Sequence, residues 1–189
     1  VAGLALLPAV LGGQGDTGPA DSVRPGPTET APDVTSPPRT YRGLRLLTSA
    51  SSPATATKVT VQFRPTSTDT AIVVRCAQEG SIFFSVETGR GGDRSSAGGL
   101  CGPDGVRSRH DDKSYEPGWA GRAHTITFWV FPPDAPIQRG RSTGGCTEMV
   151  CDGRYDLSRP GAAERLAAQL GESAGAWSVA IYDRPASAE

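Results

Sequence analysis

The sequence predicts a mainly β protein, an antiparallel β-sandwich of six to eight strands with one short C-terminal helix. Three observations carry that expectation. Apolar and polar residues alternate in at least five separate segments, turn residues punctuate those segments, and only one stretch has helical spacing. A partly open barrel is the alternative closure of such a sheet. The chain of 189 residues is long enough for one domain and a tail, and a domain of that size buries a core without needing a metal.

The first thirteen residues, VAGLALLPAVLGG, are apolar and uncharged. A membrane-spanning helix needs about 20 such residues, and Pro8 interrupts this run. It reads as part of a membrane anchor, with a signal-peptide remnant or a segment packed on the core as the other readings. Residues 14–40 are dominated by Gly, Pro, Ser, Thr and Asp, with Val23 and Val34 nearly the only large apolar side chains. Such a stretch lacks the apolar surface to offset its ordering entropy and reads as an extended Pro/Gly/Thr-rich linker. The layout of greasy run, linker and folded domain is that of a stalked protein, with the sandwich expected over 41–185.

Alternation begins after Tyr41. Leu44 and Leu46 share one parity, as do Val59, Val61 and Phe63 in KVTVQF. In TAIVVRC the residues Ile72, Val74 and Cys76 share a face, so Cys76 should point inward. In SIFFSVET the residues Ile82, Phe84 and Val86 share one, with Ser85 and Glu87 opposite. The intervening AQEG reads as a hairpin turn. Residues 88–121 form a glycine-rich excursion too long to be one structureless loop, within which Val106 should lie in a short strand and Cys101 should fasten the chain. The run RAHTITFWVFPP gives the clearest strand, with Ile126, Phe128 and Val130 alternating against Trp129 until Pro132 and Pro133 stop it. Then SRPGAAERLAAQLGE places Ala163, Leu166, Ala167 and Leu170 on one helical face, with Ser158 as cap and Gly171 as stop. A final strand alternates Trp177, Val179 and Ile181.

Charge is nearly balanced, with 19 basic and 20 acidic residues, and no basic stripe is present. A net charge of −1 offers no general attraction to phosphate backbones, which argues against nucleic acid as a partner. The sequence contains no asparagine, so the N-x-[ST] glycosylation signal cannot occur. The cysteines are Cys76, Cys101, Cys146 and Cys151. An even count in an extracytoplasmic chain reads as a disulfide framework, and the pairs Cys76–Cys101 and Cys146–Cys151 each close a local loop. Zinc is the weaker reading, because His110 and His124 stand too far apart to complete a finger.

No catalytic constellation is visible. The G-x-S-x-G elbow, the S-x-x-K motif and a phosphate-binding glycine loop with its lysine are all absent. The acidic run RHDDKSYE, with Asp111, Asp112 and Glu116, lacks EF-hand spacing and reads as a solvated loop. His124, at the start of its strand, reads as a surface residue. Trp119, Trp129 and Tyr115 are the candidate ligand-binding residues, as an aromatic platform for a sugar or a peptide. The competing reading has the helix covering Trp129 and Phe131.

The apolar VAGLALLPAVLGG, the Pro/Thr stalk, the strand TITFWVFPP and the closing ERLAAQLGE…GAWSVAIYDRP together resemble the extracytoplasmic part of actinobacterial single-pass membrane proteins. The resemblance is one of layout and implies location rather than activity. The expectation is therefore a non-enzymatic, membrane-tethered extracytoplasmic or secreted sandwich that binds or senses a cell-surface ligand or protein, without a cofactor or metal. A carbohydrate- or peptide-binding module and a hydrolase with non-local catalytic residues are the alternatives.

Overall fold

The structure is a computed structural model, and it describes residues 33–89, 94–110, 118–140 and 144–184. The predicted apolar segment 1–13, Tyr115 and the acidic run 111–117 lie outside the described residues.

Two antiparallel sheets face each other. The chain runs through β1 (Thr40–Tyr41), β2 (Leu44–Thr55), β3 (Thr57–Phe63), β4 (Thr70–Cys76), β5 (Ser81–Thr88), β6 (Arg94–Cys101), β7 (Val106–His110) and β8 (His124–Phe131). It continues with the short hairpin β9 (Val150–Cys151) and β10 (Arg154–Tyr155), the helix α1 (Ala162–Leu170) and β11 (Ser173–Asp183). One sheet has the order β1-β2-β11-β4-β7 and the other β3-β8-β5-β6, so among the described residues nine strands build the sandwich and β9–β10 stand apart.

The period-two residues turn inward as the sequence predicts. Val61, Phe63, Val74, Cys76, Ile126, Phe128, Val130, Trp177, Val179 and Ile181 form one buried cluster between the sheets. The opposite parity of β8 and β5 makes a second core on the outer face of the four-stranded sheet. There Ile82, Phe84, Val86, Trp129 and Phe131 lie beneath Ala162, Ala163 and Leu166 of α1. A nine-residue helix is marginal by itself in water. Docking on these aromatic side chains supplies what its intrinsic propensity lacks.

The structure corrects or extends several of these expectations. The segment AQEG is not a hairpin turn: β4 pairs with β11 and β7, whereas β5 pairs with β6 and β8, so the chain changes sheets there. Ser158 does not cap α1. Gly161 occupies the N-cap with φ 79° and no side-chain cap, because Ser158 instead donates to the Asp156 carboxylate at 2.6 Å. The polar run after Leu47 continues β2 through Thr55, pairing with β11; the exposed Pro53 sits where that register shifts, a place where a missing N–H is tolerated. Finally, the glycine-rich RSSAGGLC is a full strand, β6, paired with β5 along its length. The stretch 33–39, read as the end of the linker, also packs on the sandwich. Val34 is buried and its carbonyl accepts from Ser178 Oγ, while the Tyr182 hydroxyl donates to the Pro38 carbonyl at 3.1 Å.

The two flanks of the sandwich differ. On one, β2 passes directly into β3 through Ala56, whose N–H donates to the Val130 carbonyl at 2.7 Å. On the other stand the edge strands β6 and β7, which belong to different sheets. They meet at the turn 102–105, where Gly105 has φ 78° and a Cβ would lie 2.9 Å from the Arg75 side chain. The disulfide Cys76–Cys101 crosses from β4 to β6 at the same place and so ties the two sheets together.

Candidate functional site

Between the sheets, on the flank bounded by β6 and β7, lies a hollow of about 170 Å³. The register explains it. Ser85 faces Ala97, Phe83 faces Gly99 and Glu87 faces Ser95 across β5 and β6, so small side chains dominate the interior side of this flank. On the other flank Phe63 and Trp177 stand in the inter-sheet core. Close packing is the rule in protein interiors, and a row of small residues facing the opposite sheet leaves space that no neighbour fills.

Apolar side chains form the floor and walls: Ile72 and Val74 from β4, Val106 from β7, Phe83 from β5, and Ile126 and Phe128 from β8. Polar groups stand among the lining as well, namely Glu87, Arg107, Ser95, Ser96 and Ser108. Arg107 Nη1 donates to the Tyr41 hydroxyl at 3.1 Å. An apolar pocket with a few polar groups is the usual form of a small-molecule site.

Trp119 closes one side of the hollow and is held by a buried histidine. The Trp119 and His124 rings lie 4.4 Å apart between centroids, and His124 stacks on Phe63 at 5.4 Å. His124 is 8% exposed, so its expected surface position is corrected. Its Nε2 stands 2.9 Å from the Trp119 carbonyl, which can only accept, so Nε2 carries a proton. Its Nδ1 lies 2.7 Å from Glu87 Oε1, and that contact requires a second proton on either the ring or the carboxyl. Both nitrogens are thus engaged, one with a carboxylate group and one with the backbone. What this arrangement does is fix Trp119 and Glu87 against the hollow. The nitrogen that would serve a nucleophile in a hydrolytic triad faces a carbonyl instead.

The predicted site residues separate. Trp129 is buried under α1 with its ring 6.0 Å from that of Phe84, the position the competing reading assigned it. Trp119 is also buried and belongs to the inter-sheet core, on the other side of the four-stranded sheet. The two indoles therefore do not form one exposed platform. Sequence reasoning missed the hollow, although the juxtaposition of SIFFSVE with SSAGG held the signal: small residues can only oppose an alternating strand once that pairing is known.

The four cysteines form the pairs Cys76–Cys101 and Cys146–Cys151, and both disulfides fit an oxidising compartment outside the cytoplasm. Among the described residues, no group of three or more His, Cys, Asp or Glu side chains is placed to hold a metal ion. No protein-family model matches the chain, and neither curated proteins nor solved structures give a match.

Proposed function

We propose that this chain is a non-enzymatic extracytoplasmic binding or sensing domain that admits a small apolar group, an aromatic ring or a short acyl end, into the hollow between its sheets. The observation that carries this reading is a cavity of about 170 Å³ with an apolar floor, set between two sheet edges that do not pair with each other. Apolar cavities near 150 Å³ accept a benzene-sized guest in other proteins. The polar groups in the lining favour a guest with one polar substituent. Tethering to a membrane belongs to the same proposal and rests on the sequence VAGLALLPAVLGG; among the described residues no helix is long and apolar enough to cross a membrane.

Toluene and benzyl alcohol are suitable probes. Titration into the intact protein should shift the methyl resonances of Ile72, Val106 and Ile126 saturably and alter Trp119 fluorescence. Val106→Phe, which fills the hollow from β7, should abolish both responses. Methyl resonances that stay fixed in the presence of either probe would end this reading.

A further inference from the structure

A second hollow lies on the other side of β6, and we propose that it is a docking site for an extended acidic peptide, which would add a strand to the four-stranded sheet along the free edge of β6. The argument begins with the edge. β6 pairs only with β5, so among the described residues its other side offers a row of unpaired backbone N–H and C=O groups. Edge strands are commonly protected by lysine, proline or a covering element. Between Ser95 and Cys101 this strand has no lysine or proline, and Leu100 is 53% exposed, the most exposed large apolar side chain described.

The side-chain environment beside the edge is also incomplete. A hollow of about 390 Å³ is bounded by Gly98 and Leu100 of β6, by Phe84, and by Gln138, Arg139 and Asp156 from the segments before β9 and α1. Glycine fits most easily opposite Phe84, because a Cβ on Gly98 would crowd the Phe83 carbonyl at 3.0 Å. Its bareness leaves the backbone open to a second chain. Among the described residues, Gln138 Oε1 beside this hollow is buried without a hydrogen-bond partner, an unfavourable state for a polar atom.

Charge selects the peptide. The Asp156 carboxylate is already engaged by the Ser158 N–H and hydroxyl and by Arg159 at 3.3 Å. Arg139, in contrast, is exposed and donates one long bond of 3.4 Å to the Pro133 carbonyl. Among the described residues that line this hollow, the charge left to attract a ligand is therefore positive. A strand laid on β6 gains backbone hydrogen bonds from the edge, and an acidic side chain directed at Arg139 gains the charged contact.

The test uses two blocked heptapeptides of alternating valine and threonine, one with a central glutamate and one with a central lysine in its place. Amide exchange across β6 is followed by NMR in the intact protein. The glutamate peptide should slow exchange at alternate amides of β6 and bind at least tenfold tighter than the lysine peptide. Arg139→Glu should reverse that preference. Leu100→Lys should weaken both peptides, and both variants change exposed side chains, so an unchanged near-UV circular dichroism spectrum checks the fold. Val106→Phe, which blocks the inter-sheet hollow, should leave peptide binding unchanged, so the two readings fail separately. Unprotected β6 amides, equal affinity for both peptides, or pairing of β6 with a second copy of this chain seen by sedimentation would each overturn the proposal.

Discussion

The core between the sheets and the core beneath α1 are both apolar and both associated with a disulfide, yet they are assembled differently. The inter-sheet core takes its side chains from long strands, each offering every second residue. The outer core joins Ile82, Phe84, Trp129 and Phe131 to pieces scattered along the second half of the chain: Ala135, Ile137, Tyr155, Leu157 and one face of α1. Cys76–Cys101 is buried, spans 25 residues and links opposite sheets. Cys146–Cys151 spans five, has Cys146 exposed, and holds only the strap around β9 and β10. The comparison teaches that the sandwich is the element on which the rest depends, and that the helical layer is an added cover.

Removing a large side chain from each core gives the greatest expected effect. Trp177 is fully buried and its Nε1 donates to the Ala54 carbonyl at 2.8 Å. Trp177→Ala should cost about 4 kcal/mol in urea unfolding and should affect every probe of the sandwich. Leu166→Ala, equally buried, should cost about 3 kcal/mol and should first release α1, seen as early amide exchange there. Equal exchange in both layers after Leu166→Ala would show that the cover and the sandwich unfold as one unit.

The disulfides sharpen the same contrast. Replacing Cys76 and Cys101 by Ala should cost about 3.5 kcal/mol from loop closure, against about 2 kcal/mol for Cys146 and Cys151. Under mild dithiothreitol, alkylation mapped by mass spectrometry should reach the Cys146–Cys151 pair first, since Cys146 is exposed and exposure governs access to the attacking thiolate. Labelling of Cys76 or Cys101 first would contradict the placement of that bridge in the core.

The smallest expected effect concerns acid. Hydrogen bonds from Ser158 hold the Asp156 carboxyl below its ordinary range. A depressed carboxyl contributes stability that is present above its unfolded value and is lost as pH falls through the folded one. The urea midpoint should therefore fall slightly more steeply below pH 4 in the wild type than in Asp156→Asn, with the difference read at β9–β10 and α1 rather than in the sandwich. Identical pH profiles would remove Asp156 from the account of the outer layer.

Much of the fold is legible in the residues themselves. Alternation marks β3, β4, β5, β8 and β11, and the face it assigns to Cys76, Phe128 and Val179 is the face they occupy. The i, i+3, i+4 spacing of Ala163, Leu166 and Ala167 marks α1, although Leu170, expected on the same face, is exposed at the helix end. Gly171 ends the helix by donating to the Ala167 carbonyl at 3.0 Å. These features are local, set by the two periods at which a backbone returns to the same side, and so they can be read from a single sequence.

Pairing is another matter. RSSAGGLC has no alternation to betray β6; it is a strand because β5 lies beside it. AQEG has turn residues but joins different sheets, and that choice depends on β11 entering between β2 and β4 from the far end of the chain. His124 is buried only because Glu87 and the Trp119 carbonyl come to both sides of its ring. The hollow between the sheets likewise exists because Ser85 of β5 and the small residues Ser95 and Ala97 of β6 meet on one flank. Periodicity thus determined which segments extend and which side of each is apolar, since both follow from backbone geometry. Only the tertiary structure decided partners, burial of polar groups and empty space, because those depend on contacts between residues far apart in the chain.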